Sequence, residues 1–205
     1  MISSRRQFAA AAMAFGLALS GSALGAVDMT ALPDDMTLGN PRAKVTVVEY
    51  ASASCPHCAE FNNDTFPTFK AKYIDSGKIR YVFREFLTPP VEVAASGFLV
   101  ARCAGKDKYF SILDAIYRGQ QQMYQSGDYR GSLLRIAQSA GLSEAQFNAC
   151  TTDDAALKAL NDRVEKAEKD GISGTPTFLI NGTKMDGAAT LANLDAAIAA
   201  AQTAH

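Results

Sequence analysis

Two apolar strand patterns flank the first helical pattern of the chain. Lys44–Tyr50 is rich in β-branched side chains and almost wholly apolar, as in a strand inside a sheet. Lys78–Phe86 alternates apolar and polar positions and predicts a second strand. Between them, apolar residues recur at helical spacing from Cys58 to Tyr73, and Pro67 is expected to bend that helix. The pattern predicts a βαβ unit.

Residues 91–170 carry helical patterns and no convincing strand. Glycines and short breaks divide this segment into five predicted helices: Val91–Cys103, Lys106–Arg118, Tyr129–Ala140, Ser143–Cys150 and Asp153–Asp170. Strand patterns return at Thr177–Ile180 and Thr183–Met185, and the Asn181-Gly182 pair between them is typical of a type I′ hairpin. An alanine-rich helix is predicted over Thr190–Ala200. This order predicts an α/β fold with an inserted all-helical domain.

The first 26 residues have the pattern of a secretory signal peptide. Arg5 and Arg6 precede an apolar run from Phe8 to Leu19, and small residues continue to Ala26, near which cleavage is expected. Paired arginines also resemble a twin-arginine signal, so the Sec and twin-arginine routes both stay open. The apolar run is short for an uncleaved membrane anchor. We therefore expect an exported, periplasmic protein.

The composition of the mature protein excludes some classes of function and favours others. The chain has 205 residues and is 48% hydrophobic, enough for one large core with an insertion. Without residues 1–26 it keeps 18 basic and 21 acidic residues, a net charge of −3, and no basic patch for nucleic acid. No later segment offers 18 unbroken apolar residues. Disulfides persist outside the cytosol, so the four cysteines become the leading candidates for chemistry.

The Cys55-Pro56-His57-Cys58 motif falls where the first helix begins. Pro56 suits the first helical position because its missing N–H would have no helical partner there, which makes Cys55 the N-cap. The helix dipole and the free N–H groups of the first turn favour a thiolate on Cys55. His57 would add a donor and, when protonated, a positive charge. A stabilised thiolate favours the reduced pair, so such a site oxidises its substrates.

The motif resembles the active-site tetrad of the DsbA family of bacterial periplasmic thiol oxidases. Gly174-Thr175-Pro176-Thr177 is similar to the cis-proline loop of the thioredoxin superfamily, whose backbone receives an extended substrate peptide. The resemblance implies a thioredoxin fold formed by residues 27–90 and 171–205, with residues 91–170 as the helical insertion. It also implies that Glu49 is a buried acid that exchanges protons with Cys58. The alternative for Glu49 is a solvated charge near a strand end.

The resemblance further implies a thiol:disulfide oxidase without a cofactor. Its substrates would be reduced exported proteins, and a membrane partner resembling DsbB would reoxidise it. Two markers disagree, because Pro-His between the cysteines resembles the oxidases whereas Thr175 before Pro176 also resembles disulfide isomerases. A disulfide isomerase or reductase of the same superfamily is therefore the alternative. Isomerases of similar families commonly dimerise through an extra N-terminal segment. Only residues 27–43 precede the first predicted strand, which favours a monomer.

Cys103 and Cys150 remain after the Cys55–Cys58 pair is assigned. The one pairing then left is a Cys103–Cys150 disulfide, which would join two helices of the insertion. Some DsbA-like proteins carry a comparable second disulfide. Two buried free thiols are the alternative.

Other classes of function fit the sequence less well. Zinc sites need a second ligand pair at short spacing, and the only histidine besides His57 is the terminal His205, so no metal is expected. A hydrolytic triad is not expected for the same reason, because the only internal histidine lies between two cysteines.

Overall fold

The computed structural model describes residue 32 and residues 34–185 and 188–203. The predicted signal peptide, residues 1–26, lies outside the described residues. Within them, the strands of one mixed sheet are β1 (Met36–Gly39), β2 (Val45–Ala51), β3 (Ile79–Glu85), β4 (Thr177–Ile180) and β5 (Thr183–Lys184).

The strands lie in the order β1-β3-β2-β4-β5. β2 and β3 are parallel, as the predicted βαβ unit requires, whereas β1 pairs antiparallel with β3 and β4 pairs antiparallel with β2. Glu49 is opposite Phe83 on one side and Phe178 on the other. The central strand β2 therefore carries Glu49 into the middle of the sheet and ends just before Cys55.

Helices fill the rest of the described chain. The first helical segment comprises α1 (Pro56–Glu60), a π-helical turn (Phe61–Thr65), α2 (Phe66–Phe69) and a second π-helical turn (Lys70–Ile74). The insertion contributes α3 (Val91–Cys103), α4 (Lys106–Ser126), α5 (Tyr129–Ser139), α6 (Glu144–Thr151) and α7 (Asp154–Lys169), and α8 (Leu191–Thr203) follows the hairpin. The predicted α/β fold with inserted helices is confirmed.

Alternate residues of the central strands enter two hydrophobic clusters. Val47 and Tyr81 belong to a large cluster that also contains Ile112 of α4 and Leu133 of α5. Val48, on the opposite face, belongs to a smaller cluster with side chains from the C-terminal end of α7 and the loop after it. Because side chains alternate along a strand, Glu49 faces the large cluster. The insertion thus shares its core with the sheet.

The first helical segment is interrupted by π-helical turns on both sides of α2, the short helix that contains Pro67. Pro67 lies in the first turn of α2, and the N–H of Phe66 reaches back five residues to the carbonyl of Phe61. A single π-helical turn changes the register of a helix, and proline cannot donate to the ladder. Pro67 thus begins a new helical turn directly after a change of helical register.

Two elements differ from the sequence-based expectation. Strand β1 was not expected; its four residues end at Gly39, whose φ of +80° favours glycine and where an added Cβ would lie 2.5 Å from the Ile79 carbonyl oxygen. Helix α4 was expected to end at Arg118 but continues to Ser126. An added side chain at Gly119 would meet nothing within 4 Å, so this glycine sits in the helix without marking its end.

Among residues 32, 34–185 and 188–203, no helix combines the length and hydrophobicity needed to cross a bilayer.

Candidate active site

Cys55 stands where the central strand gives way to the first helix. Its backbone is extended, with φ −78° and ψ 123°, and Pro56 takes the first helical position. The Cys55 N–H donates to the Ser52 carbonyl at 3.1 Å, which closes a turn between strand and helix. The Cys55 sulfur therefore lies beside the first-turn N–H groups, which have no partner inside the helix.

Hydrogen bonding lowers the pKa of Cys55 from 9.0 to about 5. The largest cause is the hydrogen bond with the Cys58 thiol, which opposes the effect of burial; smaller contributions come from Thr175 and from the backbone N–H groups of Cys58 and His57. A thiolate is the nucleophile and the good leaving group in disulfide exchange. Cys55 is therefore the member of the pair that ionises more readily.

Cys58 has the opposite environment. Cys58 is 1% exposed. Burial raises the pKa of its thiol well above 9.0, and the hydrogen bond with Cys55 is the next cause. Both cysteines are free thiols in this structure. The pair therefore consists of one sulfur that ionises readily and one that holds its proton.

Glu49 is buried, as the family resemblance implied, with 3% of its surface exposed. Burial raises its pKa from 4.5 to about 8, although a hydrogen bond from the Tyr81 hydroxyl acts in the opposite direction. The Glu49 charge is also among the causes that raise the pKa of Cys58. A protonated carboxyl group close to Cys58 is thus available near neutral pH.

The His57 side chain is largely exposed to solvent. It is 79% exposed, and its Nδ1 is 3.4 Å from Oε2 of Glu60. The backbone N–H of His57, and not its imidazole, is among the causes that lower the pKa of Cys55. This placement differs from the expectation that the imidazole supplies a donor within the Cys-x-x-Cys ring.

The loop before β4 faces the reactive sulfur. The Thr175–Pro176 peptide bond is cis, and Cys55 Sγ lies 3.4 Å from the Thr175 carbonyl oxygen. Thr177 Oγ1 donates to the Gly174 carbonyl at 2.7 Å, which fixes the turn. Gly174, Thr175 and Pro176, the expected substrate-binding residues, are thus in one loop, and two of them line an open cavity.

That cavity has a volume of about 270 Å³ and lies beside the cysteine motif. Its walls include His57 and Glu60 from α1, Thr175 and Pro176 from the cis-proline loop, and Thr190 before α8. An extended peptide lying along the loop would have space for side chains here.

The second pair of cysteines, Cys103 and Cys150, forms a disulfide within the insertion. Cys103 of α3 and Cys150 of α6 form a disulfide, with 5.9 Å between their Cα atoms. It joins two helices of the insertion. Among the described residues, no group of three or more histidine, cysteine, aspartate or glutamate side chains could hold a metal ion.

Sequence reasoning missed several residues that shape the site. Ser54 Oγ donates to the Thr88 carbonyl at 2.7 Å, and Tyr81 donates to Glu49. Gln120 and Tyr124 reach the loop before Cys55 from the part of α4 that was not expected to be helical. The spacing of Ile112, Ile116 and Met123 continues through Gly119 and was the available signal.

A Cys-x-x-Cys pair at a helix N-terminus, facing a cis-proline loop on a mixed sheet, defines a thiol site of the thioredoxin fold. A family model described as Thioredoxin matches residues 31–200, and the chain belongs to this family. Within it, the chain is similar to DsbA-like proteins: alpha-DsbA1 of Wolbachia pipientis matches with a TM-score of 0.75 and 29% identity, covering 85% of this chain and 96% of that one.

Two further proteins are similar to this chain. BdbD of Bacillus subtilis shares the fold with a TM-score of 0.69 at 24% identity, covering 82% of this chain and 93% of that one. A Rickettsia bellii protein named "Putative protein-disulfide oxidoreductase" is 38% identical over 157 residues, which is 75% of this chain and 59% of the relative. The chain spans 54–59% of the length of the Rickettsia relatives that it matches.

Proposed function

We propose that this chain is a thiol:disulfide oxidoreductase that works as an oxidase, transferring the Cys55–Cys58 disulfide to reduced exported proteins. The observation that carries the proposal is the difference in pKa between the two cysteine thiols. The pKa of Cys55 is lowered to about 5, whereas that of Cys58 is raised well above 9.0. Each pKa unit by which the thiolate is stabilised raises the reduction potential by roughly 30 mV.

In the first step, a substrate thiolate attacks Cys55 Sγ of the oxidised protein. The bond between the two cysteine sulfurs breaks, a mixed disulfide forms between Cys55 and the substrate, and the electron pair leaves on Cys58. Because burial disfavours a Cys58 thiolate, this sulfur takes up a proton, and Glu49, protonated below about pH 8, can supply it.

In the second step, another substrate thiolate attacks the substrate sulfur of the mixed disulfide. The substrate disulfide forms and Cys55 leaves as the stabilised thiolate, so two substrate thiols are oxidised and the cysteine pair is reduced. The cycle needs an oxidant that takes these two electrons, and a membrane protein resembling DsbB is the proposed partner.

The reduction potential of the pair tests the direction of the reaction. The mature protein, with Cys103 and Cys150 both replaced by alanine, would be equilibrated in glutathione buffers. A value well above the about −270 mV of thioredoxin supports the oxidase. A value near or below it would overturn that assignment and favour a reductase or an isomerase kept reduced by a partner.

Single-cysteine variants test the order of the steps. Cys55→Ser is expected to abolish oxidation of a dithiol peptide, whereas Cys58→Ser is expected to accumulate mixed disulfides that mass spectrometry detects. Full activity in Cys55→Ser would contradict the mechanism.

A disulfide isomerase is the second candidate. Thr175 favours it, because this residue precedes the cis-proline and touches Cys55, as in the resemblance to isomerases. A scrambled-disulfide substrate separates the two: an isomerase restores activity to it under reducing buffer, whereas an oxidase acts on the fully reduced substrate.

We also propose that the protein is exported to the periplasm and acts as a monomer. The first 26 residues support export through their Arg5-Arg6 start and apolar run. N-terminal sequencing of protein recovered from a periplasmic fraction should begin near Val27. An uncleaved chain in the cytosol would contradict this.

A further inference from the structure

Helix α4 of the insertion contacts the loop that leads into Cys55. Gln120 is buried, with 3% of its surface exposed, and its Nε2 donates to the Ala53 carbonyl at 3.1 Å and to the Cys55 carbonyl at 3.3 Å. One helical turn later, the Tyr124 hydroxyl donates to the Ser54 carbonyl at 2.5 Å. Residues four apart lie on one face of a helix, so both side chains reach the same loop.

The loop depends on these donors. Among the described residues, no backbone N–H donates to the carbonyl of Ala53 or Ser54 in the turns and loops around them, while the Cys55 carbonyl receives the N–H of Ala59 at 3.1 Å. Pro56 has no N–H to offer. A buried carbonyl without a donor costs about 1–3 kcal/mol, so the loop would rearrange if it lost these side chains.

We infer that Gln120 and Tyr124 are positioning residues for Cys55: they hold the three consecutive carbonyl groups of Ala53, Ser54 and Cys55 and so keep the cysteine at the helix N-terminus. The inference rests on the proposed thiol chemistry, whose reactive sulfur it concerns. It makes the helical insertion part of the active site, since its side chains fix the conformation of the strand-to-helix turn.

The physical reason is the orientation of the thiolate. The backbone N–H groups of His57 and Cys58 help stabilise Cys55 only while its sulfur stays beside them. The carbonyl oxygens of Ala53, Ser54 and Cys55 carry partial negative charge and belong to the residue that bears this sulfur or to the two before it. Donors on these oxygens draw that charge away and prevent the peptide planes from turning towards the thiolate.

The test replaces the donors without changing the packing. Gln120→Met removes both amide donors and keeps a side chain of similar length, and Tyr124→Phe removes one hydroxyl. The full mature chain would be reduced, and Cys55 titrated through the ultraviolet absorbance of its thiolate. We expect the Cys55 pKa to rise by about one unit in Gln120→Met, with a tenfold fall in the equilibrium constant for reduction by glutathione, and by less in Tyr124→Phe.

Neighbouring residues provide matched controls. Gln121→Met changes the same residue type at an exposed position of the same helix, and Tyr129→Phe removes a hydroxyl from the ring that packs edge-on against Tyr124. Both controls should titrate like the unmodified protein.

The outcomes separate this inference from the proposed function. If the variants fold and their Cys55 pKa and glutathione equilibrium match the unmodified protein, the positioning role is overturned. If Gln120→Met fails to fold, Tyr124→Phe decides, because it removes only one hydroxyl. If the unmodified protein has a potential like that of thioredoxin, the oxidase proposal fails, while a shift in the titration still supports the positioning role.

Discussion

Two buried glutamates on adjacent strands have opposite surroundings. Glu85, at the end of β3, accepts hydrogen bonds from Arg102 Nε at 2.6 Å and from the Tyr109 hydroxyl at 2.9 Å, and Arg163 Nη2 lies 2.6 Å from its other oxygen. Glu49, in β2, receives the Tyr81 hydroxyl, and no ion pair within residues 34–185 and 188–203 includes it. Both are at most 3% exposed.

The difference shows that burial alone does not decide what a carboxyl group does. Glu85 lies between two guanidinium groups and ties β3 to helices α3 and α7 of the insertion. Glu49 has no such cation, so burial raises its pKa to about 8 and it keeps its proton at neutral pH. One glutamate joins the insertion to the sheet, and the other carries a proton at neutral pH and influences the Cys58 thiol.

The largest expected effect follows from breaking the Glu85 cluster. Glu85→Ala leaves Arg102 and Arg163, both about four-fifths buried, without their carboxylate. Removing one partner of a buried ion pair typically costs 3–5 kcal/mol, and we expect about 4 kcal/mol from urea unfolding.

Glu49→Gln is the matched variant on the neighbouring strand. It removes no partner of an arginine, and the neutral amide avoids the free energy of keeping a buried carboxyl group protonated at pH 7, so we expect no loss of stability. Equal losses in the two variants would contradict the distinction between the two glutamates.

The second prediction concerns the pH dependence of stability in the reduced protein. Between about pH 5 and 8, native Glu49 keeps a proton that the unfolded chain loses, so its contribution falls as pH rises. Native Cys55 has lost a proton that the unfolded thiol keeps until about 9, so its contribution rises with pH. The two slopes oppose each other, and the unmodified protein should be nearly insensitive to pH in this range.

Replacing either residue leaves only the pH dependence of stability that the other residue causes. We expect the stability of Glu49→Gln to rise by about 1 kcal/mol per pH unit from pH 5 to 8, and that of Cys55→Ser to fall by a similar amount. Denaturant midpoints measured at several pH values test both. The double variant should again be flat, and parallel curves for all four proteins would rule out the assigned titrations.

Much of this architecture was predictable from local pattern. The βαβ unit, the Asn181-Gly182 hairpin and the helices of the insertion depend on hydrophobic spacing and turn residues that are close in sequence. Strand β1 was not predictable in this way, because Met36–Gly39 has one β-branched residue and is held by pairing with β3 across the chain.

The site was predictable only in part. Cys55, Cys58 and Glu49 follow from the motif and its distance to the strand, but the Tyr81 hydroxyl that meets Glu49 comes from another strand through the sheet register. Gln120 and Tyr124 are not predicted because Gly119 resembles a helix end in the sequence. A helix interior glycine costs only about 1 kcal/mol, which the packing of α4 on the core outweighs.

A third prediction tests Glu49 as the proton donor. Glu49→Gln should slow oxidation of a dithiol peptide about tenfold at pH 7, because Cys58 then leaves without a nearby acid. The effect should shrink above about pH 8, where Glu49 itself has lost its proton. Stopped-flow rates across this range measure it, and a rate difference that grows at high pH would contradict the donor role.

The smallest expected effect comes from the single hydrogen bond that distinguishes Glu49 from a fully isolated carboxyl group. Tyr81→Phe removes the hydroxyl that lowers the Glu49 pKa, so this pKa should rise above about 8, and stability should fall by about 1 kcal/mol. Carboxyl NMR titration of the reduced protein measures the first change. Tyr109→Phe is the control: it removes the corresponding tyrosine from Glu85, whose arginines remain, and should leave the Glu49 titration in place. A Glu49 pKa that moves in both variants, or in neither, would show that the charge of this glutamate is set by the sheet as a whole and not by its one donor.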